Sequence, residues 1–187
     1  MLIAYDLVDG TLQRRDSAAG IGDRTLWVDL LNPTREEDML IEKAFGIAVP
    51  TREEMQEIEA SSRIYQERNA HYMTAVVLHQ KDLPPPAGMT PHERRQTRLG
   101  DVPIATPVTF VLTSDRLVTV RYEEPRAFPI FLSRNQKGDL PCNSACSVLT
   151  GLIEAIVDRE ADRVERIQSE VDKLAHHIFG IHGEAPT

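Results

Sequence analysis

The side chains with most to offer chemically lie in the stretch Pro50-Thr51-Arg52-Glu53-Glu54-Met55-Gln56-Glu57-Ile58-Glu59. On a helix, carboxylates at i, i+3 and i+4 share one face, so Glu53, Glu54, Glu57 and Glu59 could present oxygen ligands to a hard divalent cation. A local use competes with this. Thr51-x-x-Glu54 is a capping box, in which Thr accepts from the N3 amide and Glu reaches back to the N-cap amide, and Glu54 is then already engaged. The same proline-led Thr-Arg-Glu-Glu occurs at Pro33-Thr34-Arg35-Glu36-Glu37, one local solution used twice and not a repeat protein. Other chemistry is harder to assemble. Cys142 and Cys146 form Cys-x-x-x-Cys at the start of a helical stretch, but a structural zinc needs four ligands and no second pair exists, so they read as small buried thiols. His176 and His177 diverge on a helix, His182 falls at its frayed end, and His71 and His79 share a strand face too far apart to hold one ion. There is no Gly-x-Ser-x-Gly and no glycine-rich phosphate cradle, so nothing sets a nucleophile beside its base and the chain does not read as an enzyme.

The capping boxes predict helices from Thr34 to about Phe45 and from Thr51 to about Ala60. Leu40, Ile41, Ala44 and Phe45 form the expected inner face of the first, Met55 and Ile58 that of the second. Strands are expected at residues 2–8 and 11–14, joined at Asp9-Gly10, and at 25–31 around the only tryptophan. Residues 61–66 read as extended, 70–80 as the strongest strand, and 106–113 with 117–122 as a hairpin. Between them, residues 82–103 are proline-rich and polar, an expected mobile excursion, while 128–134 predict one short helix. Strands with interleaved helices and hairpins indicate a mixed sheet with helices against it, an α/β or α+β layered domain over residues 1–142.

The rest, residues 143–187, is dominated by one helical stretch to about Phe179. Its apolar residues Val164, Ile167, Val171, Leu174 and Ile178 step by three and four, the period of a helix lying along another helix. Such a helix would be about 55 Å long, more than a small core can cover, so a neighbouring helix or self-association is expected.

A formal charge of −8 and a pI near 5.3 argue against nucleic acid, anionic membrane surface or acidic substrates as main partners. Only two cysteines in the chain point to a reducing compartment. The opening MLIAYDLVDG lacks a basic n-region, so no signal peptide is expected, and no apolar run approaches the roughly 20 residues of a membrane helix.

Taken in order, WVDLLNPT from Trp27, VPTREEMQEIEASSRIY, NAHYMTAVV, the hairpin TFVLTSDRLVTVRYEEP and the helix LTGLIEAIVDREADRVERIQSEVDKL resemble the cytoplasmic N-terminal part of the CorA family of divalent-cation transporters. The likeness covers nearly the whole chain except the 82–103 loop. It implies an αβα sandwich with a mixed sheet, followed by long antiparallel-packing helices, in a subunit of a funnel-shaped homopentamer at the cytoplasmic face of the cell membrane. It implies magnesium as the regulatory and transported ion, zinc being the cargo of a sister branch. The family's pore-mouth Gly-Met-Asn is missing, since Gly88-Met89-Thr90 falls in the proline-rich loop, and the stalk and both membrane helices are also missing. The chain thus resembles a soluble sensing and gating portion. Glu53 or Glu54, most nearly Glu54, matches the acidic position that binds a regulatory ion between subunits, its partner carboxylate lying in the missing stalk. The alternative outside the family is a soluble helical interaction module without transport.

Overall fold

The computed structural model describes residues 1–15, 20–57, 59, 63–80 and 103–179. Seven strands form one sheet in the order β2-β1-β3-β7-β6-β5-β4. In chain order these are β1 (Leu2–Val8), β2 (Thr11–Arg14), β3 (Thr25–Leu31), β4 (Ile64–Glu67), β5 (Ala70–Gln80), β6 (Pro103–Leu112) and β7 (Leu117–Arg121). The helices are α1 (Arg35–Phe45), α2 (Arg52–Met55), α3 (Ala127–Gln136) and α4 (Ala145–Phe179). All neighbours run antiparallel except β3 and β7, whose parallel pairing in the middle makes the sheet mixed.

Alternation along the central strands explains the layers. In β3, Trp27 and Asp29 face one side while Val28 and Leu30 face the other, and all four are buried. The first side packs against α3 and the first half of α4 through Trp27, Phe110, Phe128, Phe131, Val148 and Leu152. The second packs against α1, α2 and the segment joining them through Val28, Val118, Val120, Ile41, Ile47 and Met55. The result is the αβα sandwich.

The α3 side buries an unusual amount of polarity. Arg121 donates from Nη2 to Asp29 Oδ2 at 2.7 Å and from Nε to Oδ1 at 3.0 Å, and it lies 4.4 Å over the Phe128 ring. Thr119 Oγ1 donates to Asp29 Oδ1 at 2.7 Å and accepts from Trp27 Nε1 at 3.0 Å. Each buried polar group is thereby satisfied, as a low-dielectric interior requires.

Some expectations needed correction. Of the expected inner face of α1, Ile41 is buried, whereas Leu40 is 53% exposed and Ala44 is exposed too. Ile47 and Val49, just past the Gly46 cap, fill the place instead. Cys142 is buried but Cys146 is exposed, because Cys142 precedes the helix and packs under Asn135 while Cys146 lies on the outer side of its first turn. Burial pushes the Cys142 thiol above its ordinary value, partly offset by Ser147. The expected 82–103 excursion lies outside the described residues, apart from Pro103, which begins β6.

Helix α4 leaves the sandwich part-way along. Val148, Leu152, Ala155 and Ile156 are in the core, Glu160 accepts from the Leu78 amide at 3.2 Å, and Arg163 is the last buried residue. From Val164 to Ile178 every described side chain is exposed, and the apolar stripe lies bare.

Candidate functional site

Both capping boxes form as the sequence predicts. In the second, Thr51 N donates to Glu54 Oε2 at 2.8 Å and Glu54 N donates to Thr51 Oγ1 at 3.3 Å. Helix α2 itself is shorter than expected, ending at Met55 and not near Ala60. The Gln56 amide already bonds Glu53 and Glu54 carbonyls, and Glu57 N reaches Glu54 O at 3.3 Å, the tightened pattern of a helix end. Only Met55 anchors it in the core, and one buried side chain is little to propagate a helix loaded with like charges. No helical face therefore carries Glu57 and Glu59 with the first pair, and Ile58 lies outside the described residues.

Glu53 and Glu54 are held in place from below. Tyr72 Oη donates to Ala48 O at 3.1 Å and accepts from Ala48 N at 3.0 Å, while Glu42 accepts from Val49 N at 3.0 Å. These contacts pin the α1–α2 connection to the sheet and aim α2 outward. Arg52 stacks 5.2 Å over the Tyr122 ring. Both carboxylates of the pair are exposed, with one oxygen of Glu54 committed to its cap and Glu53 free of any cap.

A residue that sequence reasoning passed over lies near this face. Asp38 on α1 has its Oδ1 buried with no hydrogen-bond partner. Burial, then the charges of Glu42 and Glu37, hold its carboxyl above the usual range. The Tyr122 hydroxyl is raised by burial and then by the fields of Asp38 and Glu53, so these two carboxylates face a common neighbour. The only signal in the sequence was the acidic run Glu36-Glu37-Asp38, which also suits a helix N-terminus. Among the described residues no three His, Cys, Asp or Glu side chains meet in a metal-holding group. The face offers a hydrated magnesium ion two exposed carboxylates, the number such an ion commonly takes from a protein, with the remaining ligands from elsewhere.

The raised Asp38 carboxyl has a consequence for stability. A folded carboxyl that is harder to ionise than the unfolded one favours folding below the unfolded value near 3.9, and the advantage is lost as pH rises through the folded value. Asp38→Asn is expected to raise the melting temperature at pH 7 by about 1–3 °C and to change it little at pH 4. Equal effects at both pH values in calorimetry would mean the charge is not the cause.

Three comparisons bear on what such a fold and face belong to. The family described as CorA-like Mg2+ transporter protein matches residues 22–185. The chain belongs to the CorA-like family. The magnesium transport protein CorA of Pasteurella multocida is 26% identical over 187 residues, covering 99% of the chain and 54% of that protein. Its counterpart from Escherichia coli K12 is 25% identical over 185 residues, covering 97% of the chain and 52% of that protein. The chain spans about half the length of these curated relatives. Among solved structures, the soluble domain of CorA from Methanocaldococcus jannaschii superposes with a TM-score of 0.66 at 14% identity, over 97% of the chain and 66% of that domain. The ZntB cytoplasmic domain from Vibrio parahaemolyticus gives 0.55 at 13%, over 90% of the chain and 63% of that domain. The shared architecture is thus that of CorA soluble domains, with a mixed sheet between helical layers. Among the described residues no helix is long and apolar enough to cross a membrane.

Proposed function

We propose that this CorA-like chain is the cytoplasmic ion-sensing and gating portion of a magnesium transporter, acting in a homopentamer at the inner membrane. The family match over residues 22–185 carries the reading. Glu53 and Glu54 supply one side of a regulatory site between neighbouring subunits, completed by a carboxylate from the half of the protein beyond α4. At high internal magnesium the ion bridges the two subunits and holds the closed state. When magnesium falls, the uncompensated carboxylates repel and the assembly loosens, the driving energy being the ion's differential affinity for the two states. The bare stripe from Val164 to Ile178 supports the same picture, since its spacing suits a second helix lying alongside. Residues 1–142 then form the sensing domain and 143–187 the helical segment that transmits the change.

A zinc-transporting branch is the second reading, favoured by the likeness to the ZntB cytoplasmic domain in fold. The paired carboxylates favour magnesium, because zinc prefers nitrogen and sulfur donors. A helical interaction module without transport is the third reading, and the stripe alone would serve it equally.

Thermal unfolding with about 10 mM magnesium, against sodium at equal ionic strength, tests the site. Millimolar affinity for the folded state gives about 1.4 kcal/mol, or roughly 3–5 °C. The shift should vanish in Glu53→Ala/Glu54→Ala. No shift in the parent chain would sink binding by these two carboxylates alone, and a larger shift with micromolar zinc would favour the zinc branch.

A further inference from the structure

At the other end of α1 from Asp38, a cleft of about 550 Å3 opens between residues 44–47, the β4–β5 turn and the β6–β7 turn. Its walls carry Arg68, Asn69, Ser114 and Arg116, and none of these is used by the acidic face. Arg116 lies 5.0 Å over the Phe45 ring and donates from Nε to Asp115 at 3.2 Å. Its two terminal nitrogens have no protein acceptor among the described residues. Arg68 donates from Nη1 to Gly46 O at 3.3 Å, leaving Nη2 unused.

The backbone at Arg68 adds a second observation. Its φ is +52°, in the left-handed region where a two-residue hairpin turn usually places Gly or Asn. A bulky side chain held there is strained, and such strain gathers at ligand clamps. Glycine would make the turn more easily, so what Arg68 contributes is its guanidinium.

Charge bookkeeping narrows the ligand. Arg68 and Arg116 are opposed by Asp115 and by the negative end of the α1 dipole, so the surplus is small but positive in a chain whose net charge is −8. Planar guanidinium forks match oxyanions in geometry as well as sign.

We propose that this cleft binds a small oxyanion, a phosphate or carboxylate group, between the terminal nitrogens of Arg116 and Arg68, with the Ser114 hydroxyl and Asn69 amide as further donors. The small surplus suits a singly or doubly charged group and disfavours polyphosphates. Both arginines stand on short turns of one sheet, so the site is preformed.

NMR titration of the 187-residue chain with sodium phosphate, and separately sodium acetate, against chloride at equal ionic strength tests it. Expected are saturable shifts confined to residues 45–47, 68–69 and 113–116, with phosphate, acetate or both identifying the source of the oxyanion. Arg116→Gln should weaken binding at least fivefold, and Arg116→Lys should weaken it too, since an ammonium lacks the fork. Arg68→Gly should abolish binding while raising the melting temperature by about 2 °C, because glycine accepts that φ without strain. Shifts that follow ionic strength, fail to saturate, or survive Arg116→Gln and Arg68→Gly would overturn the proposal. An Arg68→Gly chain that melts lower would show Arg68 retained for its Gly46 contact, and would overturn it as well.

Discussion

Asp29→Ala is expected to cost about 3–5 kcal/mol, a large part of the stability of a domain this size. Asp29 is 1% exposed, and removing its carboxylate strands three donors at once. Arg121 loses its partner at Nη2 and Nε, keeping only the bond from Nη1 to Glu123 O, and Thr119 loses the acceptor that orients it toward Trp27. The cost is that of an uncompensated buried cation, not the net value of the ion pair. Replacing both partners by apolar residues of similar volume, Asp29→Leu with Arg121→Met, should therefore recover most of the loss. Urea unfolding of the two single variants and the double variant provides the cycle. If the double variant is as unstable as the sum of the singles, the pair is not coupled and the argument fails.

That network also marks where the sequence was legible and where it was not. Residues 70–80 and both capping boxes were readable because local rules decide them: β-branched alternation in one case, Thr-x-x-Glu behind proline in the other. Asp29 and Arg121 sit in strands that otherwise read as apolar, and a charged residue in such a strand signals burial with a partner. What the sequence withholds is the partner, because residues 29 and 121 become neighbours only through the parallel pairing of β3 with β7. The end of α2 was misread for a related reason. Periodicity and a good cap promised a longer helix, but its continuation depends on tertiary anchors, and Met55 is the only one in α2. For the candidate site, Glu53 and Glu54 were visible as a motif. Asp38 was not, because its orphaned oxygen and raised carboxyl arise from packing.

Gly151→Ala should destabilise the fold by about 1–2 kcal/mol, although the same change in an open helix position would stabilise it by nearly 1 kcal/mol. Gly151 lies within α4 where that helix crosses α3, and an added Cβ would meet Phe131 Cε2 at 2.5 Å and Cδ2 at 3.0 Å. The ring has nowhere to retreat. Phe131 is fully buried, edge-on to Trp27 at 5.9 Å, and Trp27 is in turn stacked on Tyr5 at 4.4 Å. The methyl must therefore push α4 outward or force Phe131 off its rotamer, and either loss exceeds the gain in helix propensity. Shrinking the neighbour should relieve it: Phe131→Leu combined with Gly151→Ala is expected to be less costly than the two changes summed, by at least 0.5 kcal/mol. A Gly151→Ala chain as stable as the parent would mean that α3 and α4 can separate without penalty. The close approach matters beyond stability, because it fixes the line along which α4 leaves the sandwich at Arg163 and so the direction in which the stripe from Val164 to Ile178 is presented. A displaced but folded Gly151→Ala chain would carry that stripe on a different line. In the full protein the variant is then expected to alter ion-dependent gating without touching Glu53 or Glu54.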